Sequence, residues 1–178
     1  MEKIIYIHGF GSSGNSESAQ SIKEKIPDLL TPTYNALEPR KSLQELLKLV
    51  NDGDTIVASS LGGWYAERIS ERKKVKLVLY NPSVDPSRAL AKYHVPYSVR
   101  EDYKTIELET PEYDHVTPVT LILSIDDEVI YYRIAKDHYM KKSVEGKVKD
   151  DLVLNKGGHR IGKNVDYVIN SIKKYNGN

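Results

Sequence analysis

Short β-branched runs alternate along this chain with stretches of helical period. The apolar, strand-forming runs lie at residues 3–7, 33–37, 55–58, 76–80, 119–123 and 151–154. Between them, Ala19, Ile22 and Ile26, then Leu43, Leu46, Leu47 and Val50, then Ile130, Ile134 and Ala135 recur at helical spacing. A final set, Ile161, Val165, Val168, Ile169 and Ile172, places one apolar stripe on a helix. This alternation predicts an α/β fold: a mostly parallel sheet of about six strands with helices on both faces. Ser42 with Glu45 spells a capping box, which predicts that the second helix begins there.

The least regular part is residues 82–118. There Pro86, Pro96 and Pro111 are expected to interrupt any helix, while Tyr93, Tyr97, Tyr103 and Tyr113 supply aromatic surface. It reads as an excursion between two strands, either a small cap over a site or a surface loop.

A length of 178 residues predicts a single domain spanning residues 1–178. With 26 basic against 25 acidic side chains and no long block of one sign, nothing points to nucleic acid or an anionic membrane. Lys141, Lys142, Lys147 and Lys149 read as a solvated helix end and loop. Cysteine is absent, which removes disulfides, thiolate metal sites and a thiol nucleophile. The apolar run before His8 is only four residues long, too short for the core of a secretion signal, and no run has the length of a membrane span. A soluble, cytoplasmic protein is expected.

Ligands of open α/β sheets bind beyond the carboxyl ends of the strands, so the chemistry is sought just after each predicted strand. A-S-S-L-G-G-W-Y-A, residues 58–66, follows the third. A serine on a sharp strand-to-helix turn exposes its hydroxyl only if the residues two before and two after are small, the logic of G-x-S-x-G. Ser60 meets this with Ala58 and Gly62, whereas Ser59 would put Val57 and Leu61 at the crowded positions. Such a nucleophile needs an acid and then a base further along the chain. S-I-D-D-E-V-I at 124–130 offers Asp126, Asp127 or Glu128 as the acid, and N-K-G-G-H-R at 155–160 offers His159 as the base. Backbone donors for an oxyanion are expected from Leu61 and from H-G-F-G at 8–11, with Phe10 as the second donor and Gly11 in support.

Five stretches, Y-I-H-G-F-G-S-S at 6–13, S-S-L-G-G-W-Y-A at 59–66, N-P-S-V at 81–84, D-E-V-I-Y-Y-R at 127–133 and G-G-H at 157–159, resemble the YqiA-like small bacterial esterases. They run over essentially the whole chain. The resemblance implies a compact three-layer α/β-hydrolase fold with a reduced cap, hydrolysing carboxylic esters or acyl thioesters with no cofactor or metal. It also selects Asp127 as the acid. The chain departs from the family pattern at Ala58, where glycine is usual, at Asp126, where glycine is common, and at His159, which follows its glycine pair without the usual intervening residue.

Other readings compete. G-F-G-S-S-G at 9–14, with Glu38 as a ribose ligand, would suit a dinucleotide-binding oxidoreductase but leaves the serine turn, D-D-E-V and G-G-H unexplained. G-G-H-R-I-G-K-N at 157–164 falls one residue short of a phosphate-binding loop, with Asn164 where Ser or Thr should stand. A binding protein that keeps the scaffold without turnover is the rival of a different class. His8 is expected to hold its loop by hydrogen bonds, and His94, His115 and His138 to be surface or capping residues. Trp64 reads as core packing with a possible substrate contact, and Asn81 and Pro82 as support for the pocket floor.

Overall fold

The computed structural model describes residues 2–177. Five strands, β1 (Ile4–Ile7), β2 (Thr55–Ser59), β3 (Lys76–Tyr80), β4 (Thr117–Ser124) and β5 (Val148–Asn155), form one sheet in the order β1-β2-β3-β4-β5. Every pairing is parallel. The helices are α1 (Glu17–Lys23), α2 (Pro39–Leu49), α3 (Leu61–Ser70), α4 (Pro86–Ala89), α5 (Tyr97–Leu108), α6 (Tyr132–Val144) and α7 (Val165–Asn176). None is long and apolar enough to cross a membrane among the described residues.

The alternation of side chains along each strand divides the core in two. Ile5, Ile7, Ala58, Leu79 and Leu121 face α2, α3, α5 and α6, while Tyr6, Val57, Val78, Tyr80 and Ile122 face α1 and α7. The three layers follow from this division.

The strand predicted at 33–37 is not formed, so the sheet has five strands where about six were expected. Three residues before that segment, Leu30 makes a lone parallel bridge to β1, donating its N–H to the Ile4 carbonyl and accepting from the Tyr6 N–H. Pro32 has no N–H with which to continue such a ladder. The chain leaves the edge, and the Tyr34 ring turns in to stack on His8 at 4.4 Å.

Two further expectations are corrected. α2 begins at Pro39, not at Ser42: the proline supplies the first helical φ, and the buried Ser42 hydroxyl donates instead to the Asn35 carbonyl. Prolines 86 and 96 do not exclude helices between 82 and 118. Pro86 opens α4, and Pro96 immediately precedes α5, where a missing N–H costs nothing. A 3₁₀ turn, Leu90–Tyr93, joins the two, and α5 buries Tyr103 and Ile106 against the core.

Candidate active site

The site is built from turns at the carboxyl ends of β1, β2, β4 and β5. Ser60 lies between β2 and α3 with φ 51° and ψ −124°, a left-handed backbone that L-residues rarely adopt. The flanking residues explain why it can be held. A β-carbon on Gly62 would stand 2.1 Å from the Ile7 carbonyl oxygen, and one on Gly63 would stand 2.4 Å from Pro82 Cβ. Position 58 is different, because Ala58 sits fully buried in regular strand between Ile7 and Leu79 and its methyl joins the core. The small-residue rule is therefore strict after the serine and looser before it. Ser59, by contrast, points the other way and shares a 2.8 Å hydrogen bond with the Tyr6 hydroxyl.

His159 Nδ1 lies 2.9 Å from Asp127 Oδ2 and 3.1 Å from Oδ1. The Asp127 side chain is almost completely buried and also accepts the N–H groups of Val129 and Ile130 at 2.7 and 2.9 Å. These contacts keep the carboxylate in one rotamer facing the imidazole. The three acidic candidates of the D-D-E run have separate tasks. Asp126 Oδ1 accepts from the Gly157 and Gly158 N–H groups, which also holds its carboxyl below the usual range, and Glu128 Oε2 accepts the His159 N–H at 3.0 Å. This clamp lets His159 reach Asp127 without an extra residue after the glycine pair.

Asn81 ties the elements together. It has φ 43°, a conformation that asparagine tolerates better than most residues. Its side chain accepts from the Ser124 N–H at 2.8 Å and donates to the Gly158 carbonyl at 3.0 Å, linking β3, β4 and the histidine loop. Asn164 donates to the Tyr80 hydroxyl at 2.8 Å, so the loop that resembles a phosphate-binding motif is used for packing against β3.

After β1, His8 is buried against Tyr34. Its Nε2 accepts the Tyr34 N–H at 3.4 Å, which assigns the proton to Nδ1 and makes that atom the donor to the Gly9 carbonyl at 2.8 Å. Burial pulls the imidazole pKa down, consistent with this neutral form. The Gly9 carbonyl and the Phe10 N–H belong to one trans peptide and point in opposite directions, so anchoring the first aims the second. Neither the Phe10 nor the Leu61 N–H has a protein partner among the described residues. Two glycines of this loop are explained by close approach: a β-carbon on Gly9 would meet Ser60 Cβ at 3.1 Å, and one on Gly14 would meet the Thr31 carbonyl oxygen at 1.9 Å, whereas Gly11 has open space and a φ of 69°.

Ser60, Leu61, Phe10, Gly11 and His159 all line one cavity of about 420 Å³. Ser60 Oγ makes no hydrogen bond to His159 in this arrangement, and the imidazole Nε2 has no protein partner among the described residues. Trp64 does not reach the cavity. It is buried edge-on to Tyr65 and Tyr103 and donates to Glu107 Oε1 at 2.6 Å, so its place is in the core and not beside a substrate. The sequence reading missed the far wall, where Leu90, Tyr93 and Val129 face the serine turn. Tyr93 was visible as an aromatic, but nothing local said which way it faced. His138 also departs from a surface role, because its Nε2 lies 3.0 Å from both oxygens of the buried Glu67. His115 donates to the Ser70 carbonyl, and no group of side chains suited to a metal ion occurs among the described residues.

The model of the uncharacterised protein family UPF0227 matches residues 3–175. A UPF0227 protein of Vibrio vulnificus is 33% identical over 136 residues, covering 71% of this chain and 76% of its own length. Among solved structures, an esterase of Pyrococcus furiosus superposes with TM-score 0.67 at 16% identity, covering 97% of this chain and 82% of its own. An α/β-hydrolase enzyme from the metagenome of lagoon sediments at Mar Chica, Morocco, gives TM-score 0.65 at 15% identity, covering 99% and 92%. At such identities the likeness is one of fold, and the fold is that of the α/β hydrolases.

Proposed function

The chain belongs to the UPF0227 family, and we propose that it is a serine hydrolase that cleaves small carboxylic esters or acyl thioesters through an acyl-enzyme. One observation carries the proposal. Ser60, held at positive φ at the head of α3, shares a cavity with His159, whose Nδ1 is fixed by the buried Asp127. Ser60 Oγ attacks the acyl carbon while its proton passes to His159 Nε2. The oxyanion is met by the N–H groups of Phe10 and Leu61, with Gly11 giving the loop room. Collapse expels the alcohol or thiol, which takes the proton from Nε2, and water then repeats the sequence to free the acid. Asp127 keeps the proton of the neutral imidazole on Nδ1 and stabilises its charged form. The chemistry asks for no metal or organic cofactor. Residues 82–118 supply a reduced cap through Leu90 and Tyr93, and the partner is a small molecule.

The observation on the side of a non-catalytic binding protein is the missing hydrogen bond between Ser60 and His159. Such bonds are often long before substrate arrives. A fluorophosphonate probe decides between the two: covalent labelling at Ser60, abolished in Ser60→Ala, together with turnover of short p-nitrophenyl esters, supports the hydrolase. An unlabelled protein with no turnover supports the binder.

A further inference from the structure

The cavity has two unlike walls, and they belong to opposite faces of the sheet. Phe10 packs into the core on the α2, α3 and α5 side, meets the tilted Tyr93 ring at 5.2 Å, and is joined there by Leu90. Lys92 closes the rim of this wall by donating to the Val129 carbonyl at 3.1 Å. The other wall rises from the α1 and α7 side. Its floor is the Tyr6 hydroxyl, bonded to Ser59 at 2.8 Å, and Ser16 and Ser18 line the cavity beside it. Its rim carries Glu17 and Arg160, one charge of each sign.

The chemistry of acyl transfer says which part of a substrate meets which wall. The base must hand its proton to the leaving oxygen, so the leaving group lies on the side of His159. The histidine loop runs directly into the 3₁₀ turn Gly162–Asn164, which packs against α1. The polar wall is therefore on the base side, and the apolar wall is left for the acyl chain. A cluster of hydroxyls both donates and accepts, and the opposed charges of Glu17 and Arg160 give no net call for an anion. An apolar alcohol there would leave the Ser18 hydroxyl and the remaining acceptor capacity of the Tyr6–Ser59 pair unmatched, a penalty that discriminates more sharply than a missing methylene.

We propose that the leaving group is a neutral, hydroxyl-bearing alcohol, recognised by Tyr6 and Ser18, with a short apolar acyl chain against Phe10, Leu90 and Tyr93. This rests on the serine-hydrolase reading above. The test compares two butyrate esters with the same acyl group, glycerol monobutyrate and ethyl butyrate, and reads the ratio of their kcat/KM values. The ratio favours the glycerol ester in the native protein and falls about 3- to 10-fold in Tyr6→Phe and in Ser18→Ala. Ser18 is half-buried in the first turn of α1, outside the packed core, so its variant stays informative if Tyr6→Phe folds poorly. A ratio that stays the same in Ser18→Ala overturns the assignment of the polar wall while leaving the hydrolase intact. Failure of the native protein to label with fluorophosphonate or to cleave either ester overturns both.

Discussion

Asp126 and Asp127 are adjacent in sequence yet grip the histidine loop at different points: Asp126 binds the Gly157 and Gly158 N–H groups, and Asp127 binds the His159 ring. The first is exposed and holds backbone, whereas the second is buried and faces the imidazole. Replacing Asp127 by Asn should cost on the order of 10⁴ in kcat, because an amide presents the wrong hydrogen-bonding pattern to the ring. Asp126→Asn keeps an acceptor oxygen for the two glycines and should cost much less. Steady-state ester hydrolysis checks the order, and a larger loss at Asp126 would move the acid role there.

The backbone of Ser60 stores strain that can be measured. Non-glycine residues in sparsely populated backbone regions cost about 1–3 kcal/mol. Both Ser60→Ala and Ser60→Gly should abolish turnover, but Ser60→Gly should be the more stable by about 1 kcal/mol, since only glycine is at ease with φ 51°. Urea denaturation of the two variants gives the difference. Equal stabilities would show that the turn is not strained in solution.

Two glycines of the site should respond to alanine to very different degrees. Gly62→Ala drives a methyl to 2.1 Å from the Ile7 carbonyl oxygen and should destabilise by several kcal/mol or prevent folding. Gly11 has φ 69° but open space around it, so Gly11→Ala should cost only about 1–2 kcal/mol. Thermal unfolding of both variants tests the ranking.

His8 gives stability a pH dependence of known sign. Burial lowers its pKa in the folded state, while in the unfolded chain it protonates near pH 6.5. The unfolded state therefore binds more protons as pH falls below about 6.5, and the stabilisation present above that value is lost progressively until the lower folded pKa is passed. Protonation of Nε2 would also replace the acceptor of the Tyr34 N–H by a donor. Denaturant midpoints between pH 7.5 and 5 should drop more steeply in the native protein than in His8→Gln.

Glu67 is a structural counterpart. Burial alone would raise its pKa, but Arg68, His138 and Lys142 hold it well below the usual range. Its contribution is present above about pH 4.3 and is lost as pH falls through the lower folded value. Glu67→Ala leaves Arg68 and Lys142 to share Glu71 and takes the carboxylate from His138, and should cost about 3 kcal/mol in unfolding free energy, read by urea denaturation.

The order of elements and the residues at strand ends were legible in the chain because both depend on local rules. Periods of 2 and 3.6 follow from backbone geometry, and a serine between small residues after an apolar run has few other structural uses. The same rules put Ser60, and not Ser59, on the strand-to-helix turn, where the structure has it at positive φ. Local rules failed where distant contacts outweighed them. A strand-like stretch at 33–37 was diverted because Tyr34 found a stacking partner in His8, and Pro32 could not extend the ladder. Trp64 packs in the core as its position suggested, but its partners there, Tyr103 and Glu107, lie some forty residues away along the chain and hold it out of the cavity. The division of labour among Asp126, Asp127 and Glu128 depended on where the histidine loop returns beside β4, a contact across about thirty residues that no spacing encodes. The sequence determined which groups stand at the rim of the sheet, since period and turn chemistry act within a few residues. Only the tertiary structure decided which wall each one faces, because that is set by packing between elements far apart in the chain.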